Sequence, residues 1–318
     1  MLNSSHISVM VNEIIEKINP FDSGVYVDGT FGAGGVSQAL LEKANCKVFA
    51  FDRDPEAIVK GKKYFNNYGN RINLFCEKFS NLDKVLEKLG QNTVNGIALD
   101  LGVSSTQIDS QERGFSFTKD GPLDMRMSKK GKTAADLVNN LSEIELADII
   151  WTYGEERFSF KIAKAIIKAR QVKKITTTHE LSSIIVSAIR NKNFKIHPAT
   201  RTFQALRIEV NKELEELEKV LKISEKILAP NSSLVVISFH SLEDRIVKNF
   251  FIDRSGKGPK ANRYLPENIN HTQPTFLLLD RVLRPTEKEL NNNPRARSAK
   301  LRTAIRNEVK FINRKHLI

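Results

Sequence analysis

Val25-Tyr-Val27, then Asp28-Gly-Thr-Phe-Gly-Ala-Gly-Gly35, then Ser37-Gln-Ala-Leu-Leu-Glu-Lys-Ala44 decide the fold: a short apolar run, a glycine-rich turn and a helical stretch follow one another directly. Glycine lets the backbone turn tightly and approach a ligand, and a helix N-terminus leaves free N–H groups beside it. The pattern repeats outward. Cys46–Phe51 is a second apolar run and ends in Asp52-Arg-Asp-Pro55, where Asp54 suits an N-cap and Pro55 a first helical turn. Ile72–Cys76, a helical SNLDKVLEKLG and Ile97–Asp100 continue it. Short apolar strands alternating with helices of about ten residues predict βαβ units, and so an α/β fold with a parallel sheet covered on both faces.

The rhythm stops after Asp100. From about Gln107 to Val210 the sequence reads as loops and helices, among them LSEIELADIIWTY, FSFKIAKAIIKARQ and HELSSIIVSAIR, with apolar residues at helical spacing. A long helix from near Thr202 carries the stripe Phe203, Leu206, Val210, Leu214, Leu217, Leu221. Strand character returns at Ser233–Phe239, and FLLLDRVLR and KLRTAIRN are two further strand candidates after a Gly/Pro/Asn-rich loop over roughly 254–274. The reading is a discontinuous α/β domain, 1–106 with 211–318, holding an inserted helical domain at 107–210. The length of 318 residues also suggests about two domains.

Lys and Arg number 50 against 37 Asp and Glu, a net +13. That excess favours a polyanionic partner, since each phosphate neutralised releases a counterion. Cys46 and Cys76 lack any metal-ligand spacing, so both are expected as buried thiols in a reducing compartment and no metal is expected. No apolar run is long enough for a membrane span, and the first twenty residues lack the order of a secretory signal. The expected location is cytoplasmic.

Asp52 stands twenty positions after Gly32, where an acidic side chain can accept from both ribose hydroxyls of an adenosine cofactor. A dinucleotide fingerprint would want glycine where Ser37 stands. Asp28 would repel a pyrophosphate and suits a cationic cofactor such as S-adenosyl-L-methionine (AdoMet). Asp100-Leu-Gly-Val-Ser-Ser-Thr-Gln107 ends the fourth strand, at the same carboxyl edge of a parallel sheet. Phe115 and Phe117 could stack on unpaired bases or plug a core; Arg201 and Arg207 could hold phosphate or pair with acidic neighbours. Ser241 with Asp244 reads as a capping-box variant, and His240 and Glu243 beside it could do acid–base work. The cations of Pro294–Arg306 read as a sheet edge facing RNA or solvent.

Taken together, DGTFGAGG, DRDP, DLGVSS, ERGFSF, DGPLDMRM, HPATRTFQALR, VISFHSLEDRIVK and NPRARSAKLR resemble the bacterial 16S rRNA cytosine N4-methyltransferase family known as RsmH or MraW, from about His6 to Arg306. Two positions depart from its usual pattern, Val36 for His and Thr106 for Pro. The resemblance implies a class I, Rossmann-like AdoMet-dependent methyltransferase sheet with a helical insertion that recognises substrate. It implies cofactor contacts at Gly34, Gly35, Val36, Asp52, Phe79, Asp100 and Gln107. The implied substrate is one cytidine of the decoding centre of 16S rRNA near the P site (nucleotide 1402 in the usual rRNA numbering), within the small ribosomal subunit. A homodimer is compatible with the sequence, which does not fix the oligomeric state.

A cytosine amino group is a poor nucleophile because its lone pair is delocalised into the ring. Acceptors on its N–H bonds would localise that pair, and Asp100, Asp124 and Glu243 are the candidate catalytic groups. The rivals are an NAD-dependent oxidoreductase, a non-catalytic RNA-binding assembly factor, and a methyltransferase acting on DNA or tRNA.

Overall fold

The computed structural model describes residues 8–189, 196–257, 273–278, 281–309 and 311. The predicted strand over 276–284 therefore lies partly outside the described residues, as does most of the loop before it. The chain divides into two compact units, 1–102 with 214–318, and 103–213.

The first unit opens with α1 (Val11–Ile18) and the expected alternation: β1 (Val25–Asp28), α2 (Gly35–Lys43), β2 (Lys47–Asp52), α3 (Pro55–Tyr64), β3 (Ile72–Cys76), α4 (Leu82–Lys88) and β4 (Val94–Asp100). Asp54 caps α3, accepting from the N–H of Glu56, with Pro55 in the first turn as predicted. The second unit holds α5 (Ser105–Asp109), α6 (Ala134–Asn140), α7 (Glu143–Gly154), α8 (Ser159–Val172), α9 (Thr178–Ala188) and α10 (Thr200–Asn211). The chain returns to the first unit through α11 (Glu213–Ile227), β5 (Leu228–Ser238), α12 (Ser241–Arg254), β6 (Phe276–Leu278), α13 (Glu287–Asn292) and β7 (Lys300–Arg306).

Among the described residues the strands form one seven-stranded sheet in the order β3-β2-β1-β4-β5-β7-β6. The first five are parallel, and β7 runs antiparallel between β5 and β6. This is the class I methyltransferase sheet expected from the sequence. Successive strand residues serve opposite faces. Val48 and Ala50 pack with α1, α2 and α3, whereas Phe49 and Phe51 pack with α4, α11 and α12. The strand order reverses between β1 and β4, so the crevice at their carboxyl ends is where such a sheet takes its ligand.

Several local expectations change. The long helix from Thr202 is two helices: Lys212 is left-handed (φ 52°) and separates α10 from α11. Asn211, buried beside it, accepts from Met127 N and donates to Met125 O, which fixes the end of α10. β7 is interior, so its cations turn inward. Lys300 and Arg302 both pair with Asp244, while Arg306 is buried and donates to the carbonyls of Glu225 and Thr275. Cys46 is buried but Cys76, at the end of β3, is exposed. No described helix is long and apolar enough to cross a membrane.

Candidate active site

Three carboxylates end three neighbouring strands. Asp28, at the end of β1, is wholly buried; its Oδ2 accepts from Ser37 Oγ (2.6 Å) and its Oδ1 from Thr30 N (3.2 Å). Burial raises its pKa to about 6 against those hydrogen bonds. Ser37 is thereby explained: where a dinucleotide site would have glycine, a hydroxyl anchors the start of α2 to β1. Asp28 is a strut of the loop.

Within that loop Gly34 takes φ +86°, and a Cβ there would lie 2.6 Å from the Phe65 ring and 2.8 Å from that of Phe31. Gly35 opens α2, and a Cβ on it would meet Ser8 Oγ at 2.0 Å. Gly34 is therefore required by conformation as well as by packing, and Gly35 by the close approach of Ser8. Val36 follows, its side chain buried in the core on the α1–α3 face, so that position can reach a ligand only through its backbone.

Asp52 ends β2. Its Oδ2 accepts from Gly32 N (2.7 Å) and its Oδ1 from Asp54 N (2.8 Å), so each oxygen has one backbone partner and one further lone pair. Burial raises its pKa to about 6, with Asp54 and Asp28 adding repulsion and the two N–H groups opposing. Asp100 ends β4. Its N–H donates to Thr30 Oγ1 (2.6 Å), tying the glycine loop to the fourth strand. Its Oδ1 is out of solvent and has no hydrogen-bond partner. Desolvation first, then repulsion from Asp28, Glu243 and Glu289, raises the Asp100 pKa to about 8. Phe79, a partly buried ring just after β3, packs against the core near Gly29, whose Cβ would stand 3.6 Å from Phe79 Cβ.

The turn after β5 is built differently from the expectation. His240, not Ser241, is the N-cap of α12, and Glu243, not Asp244, is its reciprocal partner. Glu243 Oε2 accepts from the backbone N–H of Phe239 (2.9 Å) and of His240 (3.3 Å), and its Oε1 lies 3.2 Å from His240 Nε2. Asp244 instead takes the β7 cations; burial works to raise its pKa, but the hydrogen bonds from Arg302 and Lys300 outweigh it and hold it below the usual value. Sequence reasoning passed over Glu289, which accepts from Met10 N (2.6 Å) and adds to the negative potential at Asp100. Nothing in its local sequence marks it, because only the tertiary fold brings α13 to the N-terminal segment.

The other candidates belong to the second unit. Gln107 is buried and completes a capping box at α5, its Oε1 accepting from Ser104 N (3.0 Å). Thr106 sits in that first turn with its hydroxyl 2.9 Å from Ser104 Oγ. Asp124 receives both Arg126 Nε (2.9 Å) and an Arg126 terminal nitrogen (2.7 Å). Burial opposes ionisation there, but the Arg126 hydrogen bonds win and lower its pKa. Phe117 stacks on His197 at 4.5 Å and meets Phe203 edge-on, and with Phe115 it packs on the core of this unit. Both rings stay partly exposed while packing on that core. Arg207 makes a bidentate pair with Glu213, the acidic-neighbour alternative, whereas Arg201 donates to Glu155 O and keeps its side chain exposed to solvent.

In the first unit, buried carboxyls thus gather at the carboxyl ends of β1, β2 and β4. A buried, unpartnered carboxylate oxygen calls for a ligand that carries positive charge or N–H donors. AdoMet, with its sulfonium and its ammonium, fits that donor set; a pyrophosphate does not.

Comparison with known proteins agrees. Residues 3–307 match the model of the MraW methylase family. The protein named "Ribosomal RNA small subunit methyltransferase H" from Azorhizobium caulinodans is 51% identical over 95% of this chain and 87% of its own. Its namesakes from Paramagnetospirillum magneticum and Xanthobacter autotrophicus are each 50% identical over 95% of this chain, covering 95% and 87% of their own lengths. With a family match across nearly its whole length and a carboxylate-lined crevice suited to a sulfonium cofactor, this chain belongs to the MraW methylase family, whose members use S-adenosyl-L-methionine.

Proposed function

We propose that this protein methylates 16S rRNA at N4 of one cytidine in the decoding centre, nucleotide 1402 in the usual rRNA numbering, within the small ribosomal subunit. The observation that carries the reading is the set of Asp28, Asp52 and Asp100 at the switch point of the sheet, with Asp100 Oδ1 buried and unpaired. The relatives' shared name supplies the small-subunit RNA, and the sequence resemblance supplies the base and the atom.

Bound AdoMet supplies an activated methyl group on a cationic sulfur, so the protein's task is mainly alignment and charge. Asp52 would take the ribose hydroxyls on the lone pairs its backbone partners leave. Phe79 would present a ring to the adenine, and Gly34, Gly35 and Val36 would offer backbone groups. Gln107 enters on the resemblance alone. As the N4–carbon bond forms and the carbon–sulfur bond breaks, N4 must shed a proton. Among the three candidate acceptors, Asp124 is engaged by Arg126 and Glu243 by the N-terminus of α12. Asp100 is the one with an unengaged oxygen and a raised proton affinity, which suits it to accept an amino N–H. The inserted unit is assigned to substrate recognition.

The test uses methyl-labelled AdoMet and small subunits from cells lacking the modification, followed by nucleoside mass spectrometry. Label in N4-methylcytidine at one decoding-centre nucleotide is the expected product. AdoMet binding without label in small-subunit RNA would falsify the reading.

A further inference from the structure

Many cations of this basic chain are engaged within the fold: Arg113 and Arg170 on backbone carbonyls, Arg207 on Glu213, Arg254 on Glu225, Lys300 and Arg302 on Asp244. Helix α8 differs. Its sequence, SFKIAKAIIKARQV, has no carboxylate. Arg170 is turned inward, but Lys161, Lys164 and Lys168 are exposed, and among the described residues no carboxylate pairs with them. At about 100° per residue, Phe160, Lys161, Lys164, Lys168, Gln171 and Val172 fall within one arc of roughly 120°, and all six are exposed. Ile162, Ala163 and Ile166 occupy the opposite, buried side. The arc carries an aromatic ring at its start: Phe160 is 61% exposed.

We propose that this outer face of α8 is an RNA-docking surface, with the three lysines on phosphates and Phe160 stacked on an unpaired base. The inference rests on the RNA-methylating function proposed above and assigns that RNA a specific surface on the inserted unit. The lysines span roughly 10 Å of helix axis, a row of point charges that tracks a backbone without reading its sequence. An exposed ring among cations is the element that single-stranded RNA adds to that requirement, because every base offers a face to stack on. A second copy of the chain meeting this face with its own would set like charges against one another.

The experiment measures binding of the full-length protein to deproteinised small-subunit RNA and to intact small subunits across a salt series. The variants are the triple Lys161→Gln/Lys164→Gln/Lys168→Gln, its Lys→Arg counterpart, and Phe160→Ala. The Gln triple is expected to lose RNA affinity about 10- to 100-fold and to flatten the slope of log K against log salt by about 2. The Arg triple should keep both, and AdoMet affinity and helical circular dichroism should be unchanged in every variant. Phe160→Ala should weaken binding about 5- to 100-fold without changing the slope.

A Gln triple with wild-type affinity and slope overturns the surface; if the wild type still methylates the RNA, the proposed function survives. A wild type that binds RNA through this face yet transfers no methyl group removes the proposed function and leaves the surface standing. Loss of binding only on intact subunits, with none on bare RNA, would assign the face to a ribosomal protein and overturn RNA as its occupant.

Discussion

At the scale of a single residue, Asp100 is the carboxyl of the candidate site whose environment departs most from water. Burial first, then its acidic neighbours, favour the neutral acid, with a pKa of about 8 instead of the ordinary 3.8. A folded-state pKa above the unfolded value means that ionisation costs stability as pH rises from about 4 to about 8. Asp100→Asn removes that cost. It should leave the ligand-free protein unchanged at pH 4 and stabilise it at pH 8, by about 1–3 kcal/mol on the ordinary scale of such shifts. Thermal melts at the two pH values read this directly, and equal melting shifts would show that the carboxyl is not strained. The same charge is wanted once a sulfonium is bound. Wild-type affinity for AdoMet should therefore tighten between pH 6 and pH 8, and Asn at position 100 should weaken it about tenfold and abolish that pH dependence, as measured by calorimetry. A turnover loss much larger than the affinity loss would assign Asp100 to the N4 proton as well.

At the scale of the element, the decisive feature is the break between α10 and α11. The apolar stripe from Phe203 to Leu221 keeps helical period across residues 211–213, so nothing in the pattern ends the first helix. The break comes from Asn211, whose amide satisfies a buried N–H and a buried carbonyl of the segment 125–127, and from Lys212 in the left-handed region. Asn211→Ala leaves both backbone groups without partners, and each buried group costs about 1–3 kcal/mol. A loss of about 2–4 kcal/mol in urea denaturation is expected; a change below half of one kcal/mol would show that the break does not depend on this side chain. β7 teaches the same point. Its alternating cations look like a solvated edge, but its position between β5 and β6 turns them onto Asp244 and the end of α11.

At the scale of the whole molecule, the chain holds a discontinuous sheet unit and a contiguous helical one. Residues 103–213 have their own apolar cluster, from Leu123 through Ile150 and Ile166 to Leu206. A fragment of these residues alone should fold as a helical domain with a cooperative thermal transition in circular dichroism. Residues 1–102 alone should not fold, because β4 would lose β5, and the face holding Phe49 and Phe51 would lose α11 and α12. A featureless melt for the first fragment, or a cooperative one for the second, would contradict this division.

The alternation of apolar runs and helices, the glycine turn after β1, and acids at the ends of three strands are local properties. They were legible from the sequence because strand and helix periods, turn glycines and caps such as Asp54-Pro55 act over a few residues. Long motif blocks likewise placed the chain in its family. What the local pattern could not carry was pairing at a distance. Only the tertiary structure decided that Asp244 takes the β7 cations, that Glu289 reaches Met10, that Phe115 and Phe117 pack on the core of their unit, and that Asp100 keeps an unpaired oxygen. The physical reason is that the state of a charge depends on what surrounds it, and these partners lie up to 70 residues away along the chain or beyond, as with Thr30 and Asp100.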